Sequence, residues 1–349
     1  MTTQGRITYL DTARGLAIFT VLYSHVCIFC LPDYNASAIL GFLRNYYLNA
    51  FFFVAGFFAL RSHIPSVREA AGQMWRKTMQ LLLPTVIVGS IYTLTHGSYM
   101  DDFIYAPAKN GYWFTLVLYE MFLLYYAPEA VATMCGCRHL VMLGLVVIVS
   151  CGLYVVQNVR PFSGPAADIL CLTNLAYAFI YFVAGLVARQ YRAEISRVVD
   201  ARNGILITAI VCFVIAGYIV SLPKTLHQAA ILVAVVYVLR RLSTSSRLEG
   251  AVRPVINLFT WLGSYTLEIY FIHYFLLFRL PDPLARFITT SLNADLSLSF
   301  PEFLTIGALV VVLSYFSVLI ACFIKQIPYS SLLAFGKTAA SARPSASPE

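Results

Sequence analysis

Long apolar stretches alternate with short polar segments along the whole chain. Each stretch is apolar on every face, whereas the strands of a membrane barrel would alternate over about 10 residues. Because backbone groups inside a bilayer must bond within their own segment, the stretches are predicted to be helices. They cover residues 15–31, 46–60, 79–95, 112–127, 140–156, 170–188, 204–220, 225–239, 255–278 and 303–324. The pattern predicts an all-α, polytopic integral membrane bundle of about ten transmembrane helices.

The amino-acid composition is also typical of a protein embedded in the lipid bilayer. Hydrophobic side chains make up 60% of the 349 residues and charged ones 11%, against about 25% charged in a soluble domain. The mean hydropathy is +0.76. We interpret residues 1–336 as a single membrane domain, and the small, polar residues 337–349 as a disordered cytoplasmic tail.

The positive charges predict the orientation of the chain. With the N-terminus inside, 18 of the 24 Lys and Arg fall in cytoplasmic segments and 6 in outer loops, which places both termini in the cytoplasm. The net charge of +8 arises from short clusters between apolar stretches. Because these clusters form no continuous basic face, we expect no nucleic-acid partner.

The eight cysteines fall mostly inside apolar stretches, where Cys is normally a small buried hydrophobe. Cys135, Cys137 and His139 have the residue types of a metal site, but they lack a second Cys/His pair at ligand spacing, so no metal is expected. Neither a G-x-S-x-G elbow nor a recognisable Cys–His motif is present. Any group transfer is therefore expected to be direct, without a covalent intermediate.

Polar residues inside the predicted spans are costly and point to function. Arg14 and His25 are 11 positions apart, which is three helical turns plus about 20°, so both project from nearly one face of the first helix. They are separated by about 16 Å along the helix axis. Arg14 can contact an anionic group through two parallel hydrogen bonds, and His25 can accept a proton near neutral pH.

Each polar residue also has a structural interpretation. Arg14 can be a topology-setting charge that extends to the interface, and His25 a hydrogen-bonded packing residue. Glu120, in the fourth span, is equally consistent with a general acid or base and with a neutral structural carboxyl. His273 can line a cavity or pack against Tyr270 or Tyr274.

Five segments resemble the membrane-bound acyltransferase 3 family. The first holds Asp11, Arg14 and Gly15, and ten residues separate Arg14 from His25. The second segment is the apolar second helix with Ala55-Gly56-Phe57, and the third is the basic entry Trp75-Arg76-Lys77 before Leu81-Leu82-Leu83-Pro84. The fourth is the pair Trp113-Phe114. The fifth is a late element that runs from Gly263 through Ile269-Tyr270 to His273. Within the family the pattern is most similar to fucose 4-O-acetylase-like sugar O-acetyltransferases.

The resemblance implies a membrane O-acyltransferase of the plasma (inner) membrane. Its acyl group, most simply acetyl, would pass from cytoplasmic acetyl-CoA to a hydroxyl of an envelope polysaccharide or glycolipid. It implies that Arg14 and His25 are essential and that His273 lines the cavity. Many relatives carry Arg-x-x-Arg at the entry to the third helix, where this chain has Lys77-x-x-Gln80.

The resulting hypothesis assigns His25, Arg14, Glu120 and His273 to catalysis. Arg14, with Arg76 and Lys77, would bind the anionic end of the donor at the inner surface. The alternative is a transporter of a small molecule or a lipid-linked glycan, which would also need charges inside the membrane. No internal repeat is visible in the sequence, which disfavours transport.

Overall fold

The computed structural model describes residues 7–31, 41, 43–61, 66–134, 136, 139–201, 209, 211–217, 223–244, 249–285, 299–327 and 329–336. Helices dominate this part of the chain, and no strand occurs in it. The predicted all-α class is therefore confirmed. The helices are α1 (Thr8–His25), α2 (Tyr47–Ala59), α3 (Val67–Lys77), α4 (Leu83–Thr95), α5 (Met100–Tyr105), α6 (Trp113–Met134), α7 (His139–Val159), α8 (Pro165–Ile169), α9 (Leu172–Gln190), α10 (Arg192–Ala201), α11 (Lys224–Thr244), α12 (Glu249–Ser264), α13 (Thr266–Leu276), α14 (Ser299–Ile324) and α15 (Ser330–Phe335).

Six helical segments in the described residues are long and apolar enough to cross a membrane, or seven if one bent pair forms a single span. They include Thr8–Cys30 and Val67–Thr95, which continue through π-helical turns at Val26–Cys30 and Thr78–Leu82. The predicted total of ten remains a prediction. Most of the predicted span 204–220 and all of the tail 337–349 lie outside the described residues, as do Cys135 and Cys137.

The first helix begins at Thr8, seven residues before the apolar window that predicted it. Its first turns carry polar side chains that have partners. Thr12 shares a hydrogen bond with Thr260 at 2.9 Å, and the Tyr46 hydroxyl donates to the carbonyl of Ala13 at 3.0 Å. Because these groups are satisfied, the helix can continue through them although no apolar window marks them.

The predicted single helix over residues 255–278 is wrong. The structure has two helices there, α12 and α13, whose axes are bent by 82°. The break falls at Tyr265, whose φ of −114° and ψ of 17° leave the helical region. Apolar residues continue on both sides of the break, so hydropathy alone reports one span.

The chain divides into two compact units. The first contains residues 1–54 and 191–318, and the second contains residues 55–190 and 319–349. In the first unit α1 and α12 cross at Gly15 and Gly263, where an added Cβ atom would overlap the carbonyl oxygens of Phe259 and Asp11, respectively. In the second unit a Cβ atom on Gly56 would overlap the carbonyl of Phe182. Small residues thus permit close helix packing in both units.

Candidate active site

His25 and His273 form a hydrogen-bonded pair in the first unit. The Nδ1 atom of His25 lies 2.9 Å from the Nε2 atom of His273, and the two ring planes differ by only 5°. His273 is fully buried on α13, and His25 is half-buried at the last residue of α1. A π-helical turn follows His25, a feature that is frequent at functional sites.

The hydrogen bonds around the pair determine where its protons are. Nδ1 of His273 lies 3.0 Å from the carbonyl oxygen of Ile269, which can only accept, so Nδ1 carries the proton. In neutral His273 the Nε2 atom is then an acceptor, and Nδ1–H of His25 donates to it. Nε2 of neutral His25 is therefore unprotonated and available as a base.

Tyr274 occupies the remaining nitrogen of His25. Its hydroxyl lies 3.3 Å from Nε2 of His25 and donates to it. This distance is long for an O–H donor, whose usual range ends near about 3.0 Å. The contact between Tyr274 and His25 is therefore a weak hydrogen bond.

Arg14 lies on α1, three helical turns before His25. Its Nη2 donates to Oγ1 of Thr266, the first residue of α13, at 3.0 Å, and Nη1 lies 3.6 Å from Oδ1 of Asp11. Arg14 retains 34% side-chain exposure. The structure thus brings Arg14, His25 and His273 together along α13, which interacts with Arg14 at its start and with His25 in its last turns.

Glu120 belongs to the second unit. The residue is buried, and neither carboxylate oxygen has a hydrogen-bond partner among the described residues. It lies about a third of the way along α6, which extends to Met134, beyond the end predicted near residue 127. A buried polar group without a partner is unusual in a folded protein.

The two predicted donor residues of the third-helix entry also lie in the second unit. Arg76 is exposed near the end of α3. The ammonium of Lys77 lies 4.0 Å from the centroid of the Phe122 ring, in a cation–π arrangement. A capping box between Ser66 and Glu69 starts α3 and so fixes the helix that carries both cations.

Three side-chain hydrogen bonds within the two units were not predicted from the sequence. Tyr125 donates to Oε1 of fully buried Glu129 at 3.1 Å; their spacing of four residues could have indicated the contact. Arg44 donates to Ser24 at 3.4 Å, and Gln228 donates to Asn45 at 3.4 Å. No local spacing signals the last two contacts, because their partners are distant in sequence.

Comparison with known families gives one match. The family model described as an acyltransferase domain, of the acyltransferase 3 type, matches residues 7–324, which is most of the chain. No curated protein and no solved structure shows a significant match. In the part of the chain that the structure describes, no group of three His, Cys, Asp or Glu side chains could hold a metal ion.

Proposed function

Since the chain belongs to the acyltransferase 3 family and is thus a membrane acyltransferase, we propose that it transfers an acetyl group from cytoplasmic acetyl-CoA to a hydroxyl of an envelope polysaccharide or glycolipid. The sugar acceptor and the acetyl group are proposed from the sequence pattern, which resembles that of fucose 4-O-acetylase-like proteins. The plasma (inner) membrane is the proposed location, because there the donor is available on the cytoplasmic side.

The observation that carries the proposal is the 2.9 Å contact between Nδ1 of His25 and Nε2 of His273, from which the protonation of His25 is inferred. Nε2 accepts the proton of the acceptor hydroxyl while the hydroxyl oxygen forms a bond to the thioester carbonyl carbon. The resulting tetrahedral oxyanion collapses, the carbon–sulfur bond breaks, and the imidazolium of His25 returns the proton to the leaving thiolate. The products are the acetyl ester and free CoA.

His273 is proposed to act through His25. The Nε2 atom of His273 accepts from Nδ1–H of His25 at 2.9 Å and so holds the His25 ring in the orientation and tautomer that leave its own Nε2 unprotonated. When His25 takes a proton, this hydrogen bond persists and stabilises the imidazolium. His273 is therefore a positioning residue rather than a second base.

Arg14 is proposed to bind the donor. Asp11 and Thr266 hold its guanidinium, yet a third of the side chain remains exposed for an anionic ligand. The distance of about 16 Å to His25 along α1 suits an extended pantetheine arm between a bound phosphate and the reacting thioester. Arg76 and Lys77 are proposed as further donor contacts, and Glu120 as an acid or base, on the sequence pattern alone.

The test is acceptor-dependent release of CoA. We expect purified protein in lipid nanodiscs to release CoA from acetyl-CoA when an envelope glycan extract is added, and His25→Ala to reduce this rate about 100- to 10,000-fold. His96→Ala is the matched control, since His96 is exposed at the end of α4 in the second unit. It should retain the wild-type rate.

Two results would contradict the proposal. Unchanged release by His25→Ala would remove His25 as the base. No release by the wild-type protein with any acceptor would reject acetyl-CoA as the donor and favour the transport alternative. Mass spectrometry of envelope glycans from cells that lack the protein would identify the acceptor as the glycan that has lost one acetyl group.

A further inference from the structure

Arg44 is an exposed cation beside the proposed base. It precedes α2 in the first unit, and its Nε donates to Oγ of Ser24 at 3.4 Å. Ser24 is the residue before His25 on α1. Arg44 therefore contacts the residue that directly precedes the proposed base.

The charge of Arg44 has no counterion in the described part of the chain. The ion pairs found there join Arg14 to Asp11, Arg240 to Asp200 and Arg279 to Asp282. Ser24 offers Arg44 a single neutral hydroxyl at a long distance. A guanidinium has five N–H donors in a planar fork, so most of its donors are available to a ligand.

An aromatic surface lies beside His25. Phe29, four residues later, is 46% exposed, and its ring centroid lies 5.8 Å from that of His25. The same ring meets Tyr274 edge to face at 6.3 Å. Exposed aromatic rings can pack against the apolar face of a sugar ring.

Resting on the proposed function, we infer that the acceptor is a glycan carrying a negatively charged group, a carboxylate or a phosphate, which Arg44 binds while Phe29 packs against the sugar. Arginine binds either group through two parallel hydrogen bonds. The anionic end of the donor is assigned to Arg14, about 16 Å away from His25 along α1, so the anion at Arg44 belongs to the acceptor.

The test compares acceptors that differ only in charge. Acetyl transfer is measured to a neutral oligosaccharide, to the matching uronate-containing one and to the matching phosphate-bearing one. The wild-type protein should prefer one anionic acceptor, and the preferred one identifies the group. Arg44→Gln should lower kcat/KM for that acceptor about 10- to 100-fold more than for the neutral one. Arg44→Lys, which keeps the charge but loses the fork, should fall between them.

Arg279→Gln is the matched control. Arg279 is also exposed, lies in the same unit and pairs with Asp282, so its loss should leave the preference between acceptors unchanged. Size-exclusion chromatography of each variant checks that it remains folded. If Arg44→Gln does not fold, the acceptor preference of Arg44→Lys is compared with that of the wild-type protein instead.

Three results would overturn the inference. The first is that the wild-type protein uses charged and neutral acceptors equally well. The second is that Arg44→Gln keeps the wild-type preference between acceptors. The third is that Arg44→Gln has a higher KM for acetyl-CoA with the neutral acceptor, which would show that Arg44 binds the donor. Failure of the proposed function is distinct, because the wild-type protein would then release no CoA with any acceptor.

Discussion

His25 can act as a base only when one ring nitrogen is unprotonated and faces the substrate. Both conditions depend on a chain of three acceptors and donors: the Ile269 carbonyl, the His273 ring and the His25 ring. A carbonyl cannot donate, so the direction of every hydrogen bond in the chain is fixed from that end. The chemistry of His25 thus depends on a backbone group of another helix.

Replacement of His273 tests this dependence. In His273→Ala the Nδ1–H of His25 loses its acceptor, and the ring can rotate and change tautomer. We expect kcat to fall at least about tenfold, with little change in the KM for either substrate. His273→Gln supplies an amide oxygen as an alternative acceptor and should restore part of kcat.

Steady-state kinetics of both variants, together with their thermal unfolding in detergent, separates positioning from folding. A structural role alone would lower the melting temperature of His273→Ala and leave the kcat of the folded fraction at the wild-type value. That result would contradict the positioning role.

Because the chain bends between α12 and α13, the first helix packs closely against α12 and makes side-chain contacts with α13. α12 crosses α1 closely at Gly15 and Gly263, and α13 turns away by 82° and brings Thr266 to Arg14. Farther along α13, His273 meets His25. The close crossing and the bend together position α13 beside both Arg14 and His25.

Gly263→Ala should disturb this arrangement. The new Cβ atom would overlap the carbonyl of Asp11, which is backbone and cannot move aside as a side chain can. We expect a loss of unfolding free energy of about 1–3 kcal/mol or more and a reduced kcat, because α12 and α13 must shift against α1. Thermal unfolding and CoA release report the two effects.

Gly250→Ala is the matched control for this substitution. Gly250 lies on the same helix, and nothing lies within 4 Å of an added Cβ atom there. Alanine at that position should leave activity unchanged and should not lower stability. Equal stability of the two variants would show that α1 and α12 do not require the glycine contact.

Much of this architecture follows from the sequence. Apolar windows located most of the described helices, and the 3.6-residue repeat placed Arg14 and His25 on one face, where both meet α13. The contact between His25 and His273 could not be predicted, since 248 residues separate them and only tertiary packing decides it. The bend at Tyr265 was missed because hydropathy measures burial in lipid and is insensitive to backbone direction.

Across the whole molecule, the family match covers parts of both compact units, and the residues assigned to chemistry are divided between them. Arg14, His25, His273 and Arg44 lie in the first unit, and Glu120, Arg76 and Lys77 lie in the second. The assignment of Arg14 to the donor depends on one premise about orientation: Arg14 faces the compartment that holds acetyl-CoA. The positive charges predict this orientation, with both termini in the cytoplasm.

Single cysteines test the orientation directly. Tyr99 follows α4 and is 78% exposed, and Tyr191 follows α9 and is 44% exposed. The charge pattern places residue 99 outside and residue 191 inside. A membrane-impermeant maleimide should therefore label Tyr99→Cys in intact cells, and it should label Tyr191→Cys only after the cells are permeabilised. Peptide mass spectrometry distinguishes labelling of the new cysteine from labelling of the native ones. The opposite labelling would put Arg14 on the side without acetyl-CoA, and the assignment of Arg14 to the donor would fail even if His25 remained the base.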